Sequence, residues 1–270
     1  MAEKPLRAKA YGSIPHLPGS RLGTGDHHCA PGQAEICTMK GRDRRDFVSV
    51  TEKADGTCVA AAKVEGVIVP LIRAGYPAVS SRFEQHHLFA QWVYRHYVRF
   101  DELLDEGERL VGEWLAQAHG TRYSLRHEPF IAFDLMRVEE RGSVRTTDVR
   151  APFAEFQDRV APRFVVPHLL HQGGPFAIED ALRTLGEHGF HGALDQPEGA
   201  VWRVERDGKV DFLAKYVRPS KVDGRYLPEV SGQAPIWNWR PAPSVDELVG
   251  IAPDFTGDLS SDEFVRRQRA

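Results

Sequence analysis

The chain has 270 residues, 41% of them hydrophobic and 27% charged, and a formal net charge of −3. This composition is typical of a globular protein, and the negative charge excludes a uniformly basic surface for coating nucleic acid. Neither a run of 18 apolar residues nor an apolar signal core at the N-terminus is present, so we expect no membrane span and no secretion. Three cysteines do not make a disulfide framework, which fits a reducing cytoplasm.

The first third of the chain combines an irregular segment with predicted strands. Residues 1–45 hold many Gly, Pro and His residues with little periodicity, which predicts an irregular segment that packs beside the site. Residues 47–50 are typical of a strand that runs into Lys53. Two further β-rich runs, 58–64 and 67–72, flank Glu65-Gly66, which indicates a hairpin.

Two helices are predicted further along. Ser81-x-x-Glu84 matches a capping box and opens a predicted helix that continues to about Leu104. A second helix is predicted at 176–188, where Gly189 ends it.

Strands dominate the remaining sequence. They are predicted at 110–115, at 130–136 and in a hairpin of 198–206 and 209–217 around Asp207-Gly208. Antiparallel strands interrupted by helices predict an α+β domain of packed antiparallel β-sheets with flanking helices.

The domain organisation follows from these lengths. We expect the α+β domain to occupy residues 1–235, including the irregular segment 1–45, and a short C-terminal appendage to occupy 236–270. The appendage is too short for an OB-fold, which needs five strands. Chemistry is therefore expected within the first domain.

Five short fragments follow one another in a fixed order, and each alone is a weak signal. Together they contain an amine, carboxylates, an aromatic ring and basic groups, which are the parts of a site that attacks a nucleotide α-phosphate. The fragments are Thr51-Glu52-Lys53-Ala54-Asp55-Gly56, Gly112-Glu113-Trp114, Phe130-Ile131-Ala132-Phe133-Asp134, Glu198-Gly199-Ala200-Val201 and Phe212-Leu213-Ala214-Lys215-Tyr216.

The ordered set resembles the signature of the covalent nucleotidyltransferases, which are the ATP-dependent RNA and DNA ligases and the mRNA capping enzymes. The likeness is greatest to the RNA ligases and covers roughly residues 40 to 220. It implies a nucleotidyltransferase (ATP-grasp-like ligase) domain in which Lys53 forms a lysyl-nucleotide through a phosphoramide bond. It also implies ATP as the nucleotide and Mg²⁺ or Mn²⁺ as the metal.

The same resemblance assigns further residues. It implies that Glu113 binds the ribose and that Phe133 stacks on the adenine. Glu198 corresponds to the metal ligand, and Arg73 to an arginine that engages phosphate. The residues beside the lysine that are assigned to nucleotide binding are Glu52, Asp55 and Gly56.

The last fragment departs from the family's pattern of two basic residues spaced Lys-x-Lys. Only Lys215 is present there, so Arg218 is assigned the second charge from a different position. Across a two-residue hairpin Lys215 is expected near Glu198. A lysine is nucleophilic only when neutral, and its ordinary pKa is about 10.4. We therefore expect burial, a bound metal and the charges of Lys215 and Arg73 to favour the neutral amine of Lys53.

A local cluster of basic residues precedes the lysine. It is a candidate for contact with RNA, and a solvated charged loop explains it equally well. The cluster consists of Lys40, Arg42, Arg44 and Arg45.

The sequence thus predicts a cytoplasmic ATP-dependent RNA ligase of RNA repair. It would form lysyl-AMP, transfer AMP to an RNA 5′-phosphate and join that end to a 3′-hydroxyl. Its predicted partners are RNA ends and a protein that supplies further RNA binding. The alternatives are a GTP-dependent capping-type guanylyltransferase, a DNA ligase and a non-catalytic nucleotide-binding sensor of RNA ends.

Overall fold

The computed structural model describes residues 3–141 and 144–242. The chain divides into two compact units, Met1–Trp239 and Arg240–Ala270, and all described helices and strands belong to the first. Of the predicted appendage 236–270, residues 243–270 lie outside the described residues.

Two antiparallel sheets form the framework of the first unit. The strands of the described residues are β1 (Asp46–Lys53), β2 (Thr57–Val64), β3 (Val67–Ile72), β4 (Glu108–Trp114), β5 (Phe130–Arg141), β6 (Val144–Arg150), β7 (Leu169–Gly173), β8 (Gly199–Arg206) and β9 (Lys209–Val217). One sheet has the order β7-β1-β8-β9 and the other the order β3-β2-β4-β5-β6. The predicted α+β class of antiparallel sheets with flanking helices is confirmed.

Short helices cover one face of each sheet. They are α1 (Pro31–Thr38), α2 (Glu84–Arg95), α3 (Tyr97–Leu103), α4 (Phe153–Val160), α5 (Ile178–Leu185) and α6 (Pro228–Ser231). The larger core lies between the five-stranded sheet and α2 and α3, where Phe89, Trp92 and Phe130 are buried. A second core lies under the four-stranded sheet around Trp202. Strand residues alternate between faces. N-terminal residues, among them Leu6 and Tyr11, pack on part of the opposite face of the five-stranded sheet, and the remainder of the opposite faces, here called the free faces, lines a cavity.

Both predicted hairpins are confirmed. Glu65 and Gly66 have φ values of 52° and 75°, and Asp207 and Gly208 have φ values of 52° and 72°. Two consecutive positive φ angles match the right-handed twist of the flanking strands. The second hairpin fixes the register of β8 against β9, in which Val201 lies opposite Lys215.

The predicted helix boundaries are wrong in three places. The helix after Ser81 begins only at Glu84 and has no side-chain cap, because the Ser81 hydroxyl accepts from Phe83 N (3.2 Å) and pairs with a histidine ring. It then ends at Arg95 instead of continuing to Leu104, because the backbone leaves helical geometry at His96 (φ −110°, ψ 22°) and a separate helix, α3, follows from Tyr97. The helix predicted at 176–188 is α5, which Gly186 ends with a positive φ of 68°.

The segment 1–45 is not wholly irregular, since it contains α1. Its other residues pack beside the four-stranded sheet as expected. Leu17 N donates to Lys215 O (2.8 Å), and Lys215 N donates to Pro15 O (2.9 Å). Residues 15–17 therefore cover the outer edge of β9 at the position of the predicted catalytic lysine.

Candidate active site

A cavity of about 780 Å³ opens between the free faces of the two sheets. Alternation along β1 directs Ser49, Thr51 and Lys53 into it, whereas Val48 and Val50 enter the core on the other face. Its volume lies within the range of about 300–1,000 Å³ that is typical of small-molecule sites. The predicted site residues that line it are Glu52, Lys53, Asp55, Gly56, Arg73, Glu113, Phe133, Glu198 and Lys215.

Lys53 and Glu198 meet where β1 ends and β8 begins. Lys53 is the last residue of β1 and lies opposite Gly199, the first residue of β8. This register brings Lys53 Nζ to 2.5 Å from Glu198 Oε2, with only 21% and 9% of the two side chains exposed. The structure therefore pairs the predicted nucleophile with the predicted metal ligand.

The charge of Lys53 differs from the expectation of a neutral amine. Burial lowers the pKa of Lys53, but the carboxylates of Glu198 and Glu113 raise it by more, so the net pKa lies above its ordinary value. Among the protein groups alone, the carboxylates outweigh burial and the surrounding cations, and the neutral amine expected with a bound metal stays a prediction. Lys53 is an ammonium ion held by Glu198.

Glu113 reaches the cavity from β4 and contacts the turn that follows Lys53. Gly56 N donates to Glu113 Oε1 (3.0 Å), and a Cβ at position 56 would lie 2.5 Å from Trp114 O. Only glycine therefore permits this close approach of the turn to β4. Burial raises the pKa of the Glu113 carboxyl to about 7, so Glu113 is ready to accept or donate hydrogen bonds near neutral pH.

The side chain of Asp55 connects the turn after Lys53 to residues 120, 121 and 221. Its Oδ2 atom accepts from Gly120 N (2.9 Å) and Thr121 Oγ1 (3.0 Å). It also forms an ion pair with Lys221 Nζ at 2.8 Å. Sequence reasoning did not find Lys221, because it lies outside every motif and far from Asp55 in the chain.

Phe133 occupies a β-bulge in β5. Val111 pairs with Asp134 and Gly112 with Ala132, so Phe133 is the extra residue. A bulge turns two consecutive side chains to one face, and both Phe133 and Asp134 accordingly line the cavity. Tyr11 supports both of them. Its ring packs edge-on against Phe133, with centroids 5.1 Å apart, and its hydroxyl donates to Asp134 Oδ2 (2.6 Å).

Lys215 and Arg73 supply positive charge from two other sides of the cavity. Lys215 Nζ lies 3.8 Å from Asp26 Oδ1, and burial, followed by the nearby Lys53, lowers the pKa of its amine. The guanidinium of Arg73 donates to Gly12 O and Ser13 Oγ, both at 3.2 Å. The N-terminal segment thus positions both basic groups.

The structure does not bring Arg218 or the carboxylate of Glu52 to this cluster. Arg218 does not line the cavity, and its guanidinium donates to Pro197 O (3.1 Å) and Gly186 O (3.4 Å). Glu52 alternates with Lys53, and its carboxylate accepts from Phe190 N (2.9 Å) in the loop behind the sheet. Both residues support the backbone near Glu198 and Lys53.

Two of the four residues in the basic cluster predicted to contact RNA, Arg42 and Arg45, are paired with carboxylates. Arg42 pairs with Asp46 at 2.8 Å and with Asp211 at 2.6 Å. Arg45 pairs with Asp43 and Asp207 at the tip of the β8–β9 hairpin. The cluster also adjoins the start of β1, so the length of this strand, about 23 Å, separates it from Lys53.

Glu198 is suited to a hard cation. Within 3–141 and 144–242, no group of three or more His, Cys, Asp or Glu side chains is placed to hold a metal. Glu198 is nevertheless a buried oxygen donor on the cavity wall, and Glu113 and Asp55 add negative charge near it. Mg²⁺ and similar ions are commonly held by one or two carboxylates together with substrate phosphates and water.

A family model described as RNA ligase matches residues 46–217. No curated protein matches the sequence. None of the described helices is long and apolar enough to cross a membrane.

Several solved structures are similar in fold. A structure of an archaeal ATP-dependent RNA ligase has 18% sequence identity and a TM-score of 0.45, and the match covers 77% of this chain and 48% of that one. A Naegleria gruberi RNA ligase variant with ATP and Mn has 13% identity and a TM-score of 0.49, with 76% of this chain and 60% of that chain covered. The chain thus spans about half the length of the archaeal ligase.

Proposed function

Because this chain belongs to the RNA ligase family, we propose that it is an ATP-dependent RNA ligase with Lys53 as its nucleophile. The observation that carries the proposal is the contact of Lys53 Nζ with Glu198 Oε2 at 2.5 Å, on the wall of a cavity that also holds Glu113, Phe133 and Lys215. A nucleophilic amine, a metal-binding carboxylate and nucleotide contacts are thereby available to one bound ligand.

In the first step, the amine of Lys53 attacks the α-phosphate of ATP. A phosphorus–nitrogen bond forms, the bond to pyrophosphate breaks, and the amine proton passes to solvent. Glu113 accepts hydrogen bonds from the ribose, Phe133 stacks on the base, and Lys215 and Arg73 pair with the phosphates. Fixed cations of this kind stabilise the charge that develops during the transfer.

Glu198 links metal binding to the state of the nucleophile. Glu198 would hold Mg²⁺ or Mn²⁺, which would neutralise phosphate charge. Since Glu198 is the largest charged contribution that keeps Lys53 protonated, a cation on Glu198 would make the amine easier to deprotonate.

In the later steps, AMP passes from Lys53 to the 5′-phosphate of an RNA end, and a 3′-hydroxyl then displaces it. We place this activity in RNA repair in the cytoplasm. The net charge of −3, which gives weak general attraction for phosphates, supports the further proposal that a partner protein supplies additional RNA-binding surface.

Incubation with each α-labelled nucleoside triphosphate and Mg²⁺, followed by a denaturing gel, tests the first step. We expect label from ATP, much less from GTP, and none in Lys53→Ala with its fold intact by circular dichroism. Undiminished label in Lys53→Ala would refute the nucleophile. Preferential label from GTP would indicate a guanylyltransferase, and nucleotide binding without label would favour a sensor.

RNA and DNA ends then test the second and third steps. Single-turnover sealing should be measured on nicked RNA, nicked DNA and single-stranded RNA, each supplied with a pre-adenylylated 5′ end. We expect sealing of RNA ends. Faster sealing of nicked DNA would move the assignment to a DNA ligase.

A further inference from the structure

The chain beyond β9 provides a basic side chain that no sequence motif identifies. Val217 stands two residues after Lys215, where the ligase pattern has its second lysine, and Val217 is only 4% exposed. Arg218, the next basic residue, donates to the backbone carbonyls of Pro197 and Gly186. Lys221 follows three residues later and turns inward, with 8% of its surface exposed.

Lys221 contacts the turn that carries the nucleophile. Its Nζ atom lies 2.8 Å from Asp55 Oδ2 and also donates to Thr121 Oγ1. Asp55 is two residues beyond Lys53, and Asp55 N donates to the hydroxyl of Tyr123 (2.9 Å). Lys221 therefore binds the side chain of Asp55, and Tyr123 binds its backbone amide.

The space around this contact is closely fitted. A Cβ on Gly120 would lie 2.6 Å from Val222 O, 2.9 Å from Asp55 Oδ2 and 2.9 Å from Lys221 Cε. Glycine is therefore needed at position 120, because a larger residue would block the aliphatic part of Lys221 from reaching Asp55. Burial of an ammonium ion is unfavourable unless it is paired and hydrogen-bonded, and Asp55 and Thr121 meet both needs.

We propose that Lys221 is a positioning residue for the adenylylation of Lys53, and that Lys221 rather than Arg218 is the basic residue beyond β9 that supports the nucleophile. This inference rests on the proposed function. Through Asp55, Lys221 fixes the turn 54–56 against residues 120–121. The turn in turn fixes the end of β1, so that Lys53 faces Glu198 while Gly56 N is held by Glu113.

The test compares Lys221→Met with three other single variants. Lys221→Arg retains the charge. Lys209→Met is the matched control, because Lys209 is an exposed lysine at the far hairpin. Arg218→Met examines the rival residue. For each variant, single-turnover labelling by α-labelled ATP over a range of ATP concentrations yields the rate constant at saturation and the apparent affinity for ATP.

We expect Lys221→Met to lower the saturating rate constant by about tenfold to a hundredfold, since misplacement of a reacting group by about 1 Å has effects of this size. The affinity for ATP should change little, because Lys221 acts through Asp55 and does not line the cavity. Lys221→Arg should recover most of the rate, and Lys209→Met should equal the wild type. A wild-type rate in Lys221→Met, or a larger loss in Arg218→Met than in Lys221→Met, would overturn the assignment.

A second variant keeps the test valid if Lys221→Met does not fold. Asp55→Asn with Lys221→Met removes both charges and leaves no buried ion unpaired. If Lys221 acts through Asp55, the double variant should be labelled no more slowly than Asp55→Asn alone. Labelling of the double variant at the wild-type rate would overturn the proposal.

Hydrogen exchange separates failure of this inference from failure of the proposed function. In Lys221→Met, the amides of 54–57 and 120–121 should exchange faster than in Lys209→Met, and Lys221→Arg should restore protection. If the wild type is not labelled by any nucleotide, the ligase function fails, and the exchange rates alone decide on Lys221. Unchanged exchange in Lys221→Met would then refute its positioning role.

Discussion

The two ends of the four-stranded sheet both carry clusters of charged side chains, but only one end has the properties of a reactive site. At the start of β1, Asp46 and Asp43 pair with Arg206, and Arg42 with Asp46 and Asp211, at 2.6–2.8 Å. At the end of β1, Lys53 pairs with Glu198 at 2.5 Å on the wall of a deep cavity. Distances alone do not distinguish the two clusters.

The two clusters differ in their exposure to solvent and in how their charges are arranged. Arg42 is 40% exposed, so water screens its ion pairs more than the pair of Lys53 with Glu198, whose side chains are 21% and 9% exposed. Around Lys53, the carboxylates lie in a buried space, where burial, with a smaller contribution from repulsion by Glu198 and Asp55, raises the pKa of Glu113 to about 7 although Lys53 lowers it. Lys53, Lys215 and Glu198 line a cavity, where a nucleotide and a cation could reach them, whereas Arg42, Arg206 and Asp46 of the surface network are paired with one another or with other surface residues.

The largest expected difference between the two ends is in catalysis. Glu198→Gln removes the charge that pairs with Lys53 and that we propose to hold the metal, and we expect lysyl-AMP formation to fall by about a hundredfold or more. Asp46→Asn is the matched change at the other end and should leave the rate within about twofold, because the strand separates it from the nucleotide. Labelling kinetics with α-labelled ATP measure both. Equal losses of rate in Glu198→Gln and Asp46→Asn would contradict the difference proposed between the two ends of β1.

RNA binding tests the far cluster directly. The arginines there already have acidic partners, so Arg42→Ala with Arg45→Ala should weaken binding of single-stranded RNA by no more than about threefold at physiological salt. The slope of log affinity against log salt should stay within experimental error. Fluorescence anisotropy at two salt concentrations measures both quantities, with Lys209→Met as a single-charge control. A clear fall in the slope would show that phosphates displace the acidic partners.

The smallest expected effect is on stability against pH, and it has opposite signs at the two ends. Burial raises the pKa of Glu52 to about 7, so the folded chain binds its proton more tightly than the unfolded chain. The free energy of unfolding therefore falls as pH rises from about 4.5 to about 7. Hydrogen bonds from Arg42 lower the pKa of Asp46 to about 2. Its stabilisation is complete above about 4 and is lost as pH falls toward 2.

Melting temperatures of Glu52→Gln and Asp46→Asn between pH 3 and pH 8 measure these contributions. Relative to wild type, Glu52→Gln should be more stable by a few degrees above pH 7 and should lose this advantage near pH 4.5. Asp46→Asn should be less stable above pH 4 and should approach the wild type at the acid end. The neighbouring His191 does not offset Glu52, because burial lowers the pKa of this histidine to about 4. Parallel curves would contradict the assigned pKa shifts.

Much of the framework could be predicted from the sequence, because the information is local. Asp207-Gly208 specifies a turn, the turn fixes a register, and the register places Lys215 near Glu198. The position of Phe133 in the cavity also follows from its fragment. The bulge that turns Asp134 to the same side does not follow, because it depends on the pairing with β4.

The errors concern features that depend on partners distant in the chain. The basic character of Arg42 and Arg45 is visible in the sequence, but their pairing with Asp211 and Asp207 requires the hairpin to fold back. The hydroxyl of Ser81 fits a capping box until the ring of His86 engages it. Lys221 has no local signal at all, since only the fold brings it to Asp55.

The closure of the site by the chain beyond β9 has a consequence for synthesis on the ribosome. Asn238 Nδ2 donates to Leu115 O across 123 positions, and Lys221 reaches Thr121 across 100. Contacts of such long range form late and slow the folding of a chain that emerges from its N-terminus. A nascent chain that ends near residue 217 has every motif residue but lacks these contacts. We therefore expect that Lys53 is not adenylylated in such a nascent chain, so that no ATP is consumed before the protein is complete.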